Sequence, residues 1–160
     1  MNSPAFRVAV AAIGDADFLR EMARHAATLE DRPLPAADAE GVADLVPTDL
    51  QNALVAVDTA GRKLGAAWLL SGGGPLVPNL LAAPEVCMAL TPDSRNRGVG
   101  TALLDSVISR ATAHGHPALV LNVHLRNTAA LRLYMKCGFR VAGAGRGWFG
   151  VAMVCTLPRV

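Results

Sequence analysis

The chain has 160 residues, enough for one ordinary domain, because at this length roughly 70% of the unfolded surface can be buried. Hydrophobic residues make up 52% and charged residues 18%, which excludes a disordered chain, and a net charge of +2 argues against a nucleic-acid or polybasic membrane partner. The three cysteines, Cys87, Cys137 and Cys155, are far apart and in no metal-ligand spacing, so the expectation is a reducing cytoplasm with no disulfide framework and no metal.

Phe6–Ile13, apolar apart from Arg7, is expected to be a strand buried on both faces, and its uninterrupted part Val8–Ile13 is too short for a signal peptide. Gly14-Asp15 offers a break and a cap, after which Phe18, Leu19, Met22, Ala26 and Leu29 recur at helical spacing. Arg32-Pro33-Leu34-Pro35 stops that helix, since a residue before proline is pushed out of the α region, and a short second helix is expected in Ala36–Leu45. Ala53–Val57 and Leu64–Leu70 flank a turn near Gly61 and read as a β-hairpin. The uncharged stretch Leu64–Glu85 is interrupted by Gly72-Gly73-Gly74-Pro75 and Pro78, so it is no membrane span; the glycine segment reads as a mobile connection. Glu85–Thr91 is a strand, and from Gly100 a helical stripe of Leu103, Leu104, Val107, Ile108 and Ala111 runs to a stop at Gly115 and Pro117. Ala118–Val123 is a strand, Asn127 or Thr128 caps a helix with Ala130, Leu133, Tyr134 and Cys137 on one face, and Gly138 closes it. Strands around Phe139–Gly143 and Trp148–Leu157 complete an order βααβββαβαββ, an α/β domain with a mixed sheet; no linker divides it, and one domain over 1–160 is expected.

The most informative segment is Arg95-Asn96-Arg97-Gly98-Val99-Gly100-Thr101, between a strand and a strongly patterned helix. Two glycines two apart let the backbone turn tightly and bring successive N–H groups to a ligand, the helix start adds its positive dipole end, and the arginines add full charges. The pattern suits a phosphate or pyrophosphate; a tight strand-to-helix turn would also produce it. It is no P-loop, lacking Gly-x-x-x-x-Gly-Lys-Ser/Thr, and no dinucleotide fingerprint, since Leu103 stands where a small residue is needed.

Arg95, Gly98 and Gly100 satisfy the acyl-CoA signature Arg/Gln-x-x-Gly-x-Gly/Ala, and Asn127, Ala130, Tyr134, Gly138 and Phe139 satisfy a downstream pattern Asn-x-x-Ala-x-x-x-Tyr-x-x-x-Gly-Phe. With one helix and one strand between the two blocks, the chain resembles the GNAT N-acetyltransferase superfamily from about Glu85 to Phe139. The resemblance implies the GNAT acyl-CoA fold, a mixed, mostly antiparallel sheet with splayed central strands, and acetyl-CoA as co-substrate without a metal. It implies direct transfer of an acetyl group to a primary amine of a small molecule, peptide or protein. A non-catalytic acyl-CoA-binding domain and transfer of a longer acyl group are the alternatives. An unidentified amine acceptor is the other partner, and a homodimer is frequent in the family.

The same resemblance assigns the cofactor site. Met88, Ala89 and Leu90 on one strand and Leu121–Val123 on the other would bind the pantetheine arm, with a backbone N–H near Met88 polarising the thioester carbonyl. The amides of Asn96, Arg97, Gly98, Val99, Gly100 and Thr101 would hold the pyrophosphate beside Arg95, and Asn127 would bond the cofactor arm or simply cap its helix. An amine with a pKa near ~10.4 is mostly protonated at neutral pH, and reaching its neutral form costs about 4 kcal/mol, so a base helps. Tyr134, the chain's only tyrosine, is the general acid that the resemblance implies for the leaving thiolate. Glu85, the only carboxylate between Asp58 and Asp93, is the candidate base, or else a solvated strand-end charge; His124 is a fallback. His25, His114 and His116 belong to surfaces or helix ends. Trp68, Trp148 and Phe149 either line an acceptor pocket or fill the core, and Arg126, Arg132, Arg140 and Arg146 either attract an anion or are solvated.

Overall fold

A computed structural model describes residues 5–29, 31–70, 76–77, 80 and 83–159. The strands are β1 (Phe6–Val10), β2 (Ala53–Asp58), β3 (Lys63–Leu70), β4 (Glu85–Leu90), β5 (Ala118–His124), β6 (Arg140–Ala144) and β7 (Gly150–Thr156). The helices are α1 (Ala16–Ala26), α2 (Glu40–Ala43), α3 (Val99–Ala113) and α4 (Thr128–Lys136), with 3₁₀ turns at Ile13–Asp15, Leu50–Asn52 and Pro92–Ser94. The element order is the expected one, and the seven-stranded sheet is mixed and mostly antiparallel. The glycine connection over 71–75 lies outside the described residues.

The chain forms two units, the first made of Met1–Leu69 with Cys87–Ser106 and the second of Leu70–Val86 with Val107–Val160. In the first, β1, β2, β3 and β4 are neighbours in that order. Its core is built from Leu19, Met22 and Ala23 of α1, Val42 of α2, Ala53–Ala56, Leu64, Ala66–Trp68 and the Leu103-Leu104 pair of α3. Trp68 is fully buried, and its indole N–H donates to Leu45 O at 2.8 Å, which satisfies the one polar group the ring takes into the core. Gly65 permits a close approach of β3 and β4: a Cβ there would lie 2.6 Å from Leu90 Cδ2 and 2.8 Å from Ala89 O.

Three local expectations need correction. β1 is not buried on both faces; it pairs only with β2, ends at Val10, and leaves Ile13 85% exposed in the following turn. An apolar run alone does not distinguish a central from an edge strand. Asp15 occupies the N-cap position of α1 without bonding that helix; its carboxylate accepts from Ala12 N and pairs with Lys63, both at 2.8 Å. The helix stops at Ala26 rather than near Leu29, where Thr28 N bonds His25 O and Arg24 Nε reaches Pro35 O at 2.7 Å, folding the following segment back. The second helix is the single turn Glu40–Ala43.

In the second unit β5 pairs parallel with the first residue of β4, Glu85 opposite Val120, and antiparallel with β7, which carries β6 on its other side. β6 is exposed along its whole length, as suits an edge. Ala118–Leu121, Val123, Tyr134, Phe139 and Ala152–Cys155 form this unit's core.

Candidate active site

The first unit carries the glycine loop. β4 ends at Leu90, and the Thr91 hydroxyl bonds Leu64 O at 3.2 Å and the hydroxyl of the fully buried Ser94 at 2.5 Å. Asp93 accepts from the Thr91 hydroxyl at 3.0 Å and from Arg62 at 2.8 Å, and these partners, the Thr91 bond first, hold its carboxyl below the usual range. The Arg62 and Ala60 amides do the same for Asp58, so the β2–β3 turn and the loop are joined through one arginine. The chain then turns through two left-handed residues, Asn96 at φ +59° and Gly98 at φ +80°. Asn96, Arg97 and Gly98 are exposed, while Val99 and Gly100 enter α3 and are buried.

The first intrahelical bond of α3 is Ala102 N to Gly98 O at 3.1 Å, so the N–H groups of Val99, Gly100 and Thr101 have no partner within the helix. A Cβ on Gly98 would meet nothing within 4 Å. The glycine is therefore required by backbone conformation, not by packing. Backbone donors without a partner inside the helix, at the positive end of a 15-residue helix and beside the exposed Arg97, suit an anion such as a pyrophosphate. Arg95 is half-buried; burial foremost, and its positive charge in addition, push the His25 imidazole below its ordinary value. Met88 and Leu90 are half-buried and Ala89 buried on β4.

The second unit carries the other candidates. Tyr134 is 9% exposed in α4 with its ring edge-on to Phe139 at 5.9 Å. Asn127 caps α4, its Oδ1 accepting from Ala130 N at 3.3 Å. The other end of the helix is a Schellman closure: Phe139 N bonds Tyr134 O at 2.9 Å, Gly138 N bonds Met135 O at 3.2 Å, and Gly138 is left-handed at φ +99°. The spacing Tyr-x-x-x-Gly-Phe is thus that of a helix end in which the two aromatic rings make the accompanying apolar contact.

Glu85 is not a solvated strand-end charge. Its side chain is 16% exposed and its Oε1 accepts from Arg146, which lies between β6 and β7 and is anchored by its own N–H to Asn122 Oδ1 at 2.8 Å. Arg146 was legible only as one of four surface arginines, and Asn122 gave no signal, because the partners stand far from Glu85 in the chain. His124 accepts the Arg126 N–H on Nδ1 at 3.1 Å and lies against Phe149. Trp68 is core, whereas Trp148 is 99% exposed and Phe149 57%. Cys87 and Cys155 are buried and Cys137 half-buried, no disulfide joins them, and burial pushes the Cys155 thiol up. Among the described residues no three His, Cys, Asp or Glu gather as metal ligands, and no helix is long and apolar enough to cross a membrane.

Comparisons with known proteins agree on one family. Residues 37–139 match the family model described as "Acetyltransferase (GNAT) family". Mycothiol acetyltransferase from Clavibacter sepedonicus is 35% identical over 94 residues, which is 59% of this chain but only 29% of that protein. A GCN5-related N-acetyltransferase from Kribbella flavida superposes with a TM-score of 0.69 at 26% identity, covering 96% of this chain and 98% of the other. A GNAT superfamily phosphinothricin acetyltransferase from Sinorhizobium meliloti, in complex with acetyl-CoA, shares the fold with a TM-score of 0.70 at 22% identity, over 96% and 89% of the two chains. The matched segment takes in both signature blocks, the glycine loop with its open amides and the capped helix bearing Tyr134, and the chain belongs to the GNAT acetyltransferase family.

Proposed function

We propose that the chain is an acetyl-CoA-dependent N-acetyltransferase acting by direct transfer to a primary amine, as one catalytic domain. The observation that carries the reading is the exposed turn at Asn96–Gly98, with two left-handed residues and no atom facing Gly98, leading into a helix whose Val99–Thr101 N–H groups have no partner within it, an arrangement suited to a pyrophosphate. Acetyl-CoA, when bound, supplies the activated thioester. The Asn96–Thr101 amides with Arg95 and Arg97 bind its pyrophosphate, Met88–Leu90 bind the pantetheine arm through backbone, and the Nδ2 of Asn127, whose Oδ1 is committed to the cap, donates to the same arm. A main-chain N–H near Met88 steadies charge on the carbonyl oxygen.

Glu85 accepts the proton of the acceptor's ammonium, and Tyr134 Oη donates a proton to the departing sulfur. Arg146 donates to Glu85 and holds its carboxylate in place. An ammonium acceptor and acetyl-CoA give an amide, the thiol and one proton. Three cysteines with no disulfide among them support a reducing compartment such as the cytoplasm.

Thermal denaturation with acetyl-CoA or CoA tests the reading. At about a hundredfold excess over Kd, binding adds about 2.7 kcal/mol, and Tm rises by roughly 5–10 °C. No shift with either at millimolar concentration removes the cofactor site. A shift without release of CoA across an amine library assigns the chain to the non-catalytic alternative.

A further inference from the structure

Glu85 and Arg146 are 61 residues apart, and the arginine is held in place by more than their contact. Its N–H is bonded to Asn122 Oδ1 at 2.8 Å, and the neighbouring Gly145 N donates to Gly150 O at 2.8 Å. A Cβ on Gly145 would fall on Asn122 Oδ1 itself, so the β6–β7 loop keeps this seat on β5 only with glycine at that position.

The pair is asymmetric. The Glu85 side chain is 16% exposed and largely enclosed, whereas that of Arg146 is 51% exposed. A guanidinium has five N–H donors, and among the described residues Arg146 commits its side chain only to Glu85. The remaining donors form a flat, open fork suited to a second carboxylate. The β6–β7 connection that carries Arg146 also carries exposed apolar side chains: Trp148 and Phe149 are 99% and 57% exposed, and Leu125, whose N is bonded to Phe149 O at 2.7 Å, is 55% exposed.

A carboxylate touching a guanidinium with open donors is complemented by a ligand that carries an ammonium and a carboxylate side by side. We propose that Glu85 and Arg146 together read the α-amino and α-carboxylate groups of an amino acid acceptor with an apolar side chain. This rests on the acetyl transfer proposed above and narrows its acceptor. Glu85 receives the ammonium, Arg146 receives the carboxylate, and the side chain lies toward Trp148 and Phe149. A monoamine satisfies Glu85 but draws it away from Arg146 with nothing returned to the guanidinium. A polyamine brings further positive charge against that arginine. An α-amino acid leaves every charge paired.

The test is calorimetric binding of L-leucine and L-phenylalanine, of the amide of each, and of the corresponding amines without the carboxylate, to the protein with and without CoA. The better of the two amino acids is expected to bind about 10- to 100-fold more tightly than its amide and its amine, the range of a charge-assisted hydrogen bond. Arg146→Gln should remove that preference, so that acid and amide bind alike, and Arg146→Lys should retain part of it, because the charge remains and the fork does not. An amino acid that binds no better than its amide, a preference that survives in Arg146→Gln, or no binding of either amino acid overturns the proposal. The titration without CoA keeps this result separate from the cofactor reading, which falls only if acetyl-CoA itself fails to bind.

Discussion

The two signature blocks use their conserved-looking letters for opposite ends. In the second block almost every matched residue serves the helix it sits in: Asn127 bonds the Ala130 amide, Gly138 takes the left-handed closing position, and Phe139 packs on Tyr134 while its N–H returns to the Tyr134 carbonyl. In the first block the matched residues do little for the fold. A side chain on Gly98 would meet nothing within 4 Å, the neighbouring Arg97 is exposed, and the amides that follow have no partner within α3. A motif whose residues are occupied by local structure tells of geometry, and in it the Tyr134 hydroxyl is the candidate for chemistry. A motif that folding does not require tells of a ligand.

That contrast can be broken by substitution. The largest effect is expected at Tyr134→Phe, which keeps the ring against Phe139 and removes the proton donor. Steady-state kinetics should show kcat falling about 10²- to 10⁴-fold with little change in the KM for acetyl-CoA, and an unchanged kcat would remove Tyr134 as the acid. Next comes Gly98→Val. It places a branched side chain at φ +80° and in front of the amides, so the KM for acetyl-CoA should rise at least about tenfold, alongside a conformational cost of about 1–2 kcal/mol.

The second block should answer in stability instead. Gly138→Ala should cost about 1–2 kcal/mol, read as a lower Tm, and leave the KM for acetyl-CoA in place; a cofactor defect without loss of stability would reverse the assignment of the two blocks. Asn127 sharpens the comparison, because its two atoms have different duties. Asn127→Asp keeps an acceptor for the Ala130 amide and loses the Nδ2 donor, so Tm should hold while the KM for acetyl-CoA rises about 2- to 10-fold.

The smallest effect concerns acid. Asp58 and Asp93 have carboxyls held below their ordinary value in the folded protein, so they bind fewer protons than in the unfolded chain. Their contribution is fully present above the unfolded pKa of about 3.9 and is lost as pH falls through the lower folded values. In Asp58→Asn the fall of Tm below about pH 4 should be shallower than in the parent. An unaltered slope would show that the junction between the β2–β3 turn and the glycine loop does not depend on charge.

Much of the fold could be read from residues that act on their near neighbours. Gly61, Gly98, Gly115 and Gly138 all stand at positive φ where a turn or helix end was expected, and the buried stripe of α3 contains Leu103, Leu104, Val107 and Ala111 as predicted. These signals are local because a dihedral preference or a cap is settled within a few residues. The less local features were not readable. Phe6–Val10, apolar but for Arg7, reads as a central strand yet lies at the edge, and Trp68 and Trp148, the same residue type, are respectively fully buried and 99% exposed.

The sequence by itself therefore determined the order of elements, the glycine turn before α3 and the two capped ends of α4, each a consequence of short-range backbone chemistry. The partner of Glu85 was decided only by tertiary structure. Its carboxylate meets a guanidinium 61 residues away because β5 lies between the two, pairing with Glu85's strand through Val120 and docking the Arg146 loop through Asn122. Burial and ion pairing depend on which surfaces the sheet brings together, and no pattern within a single segment carries that information.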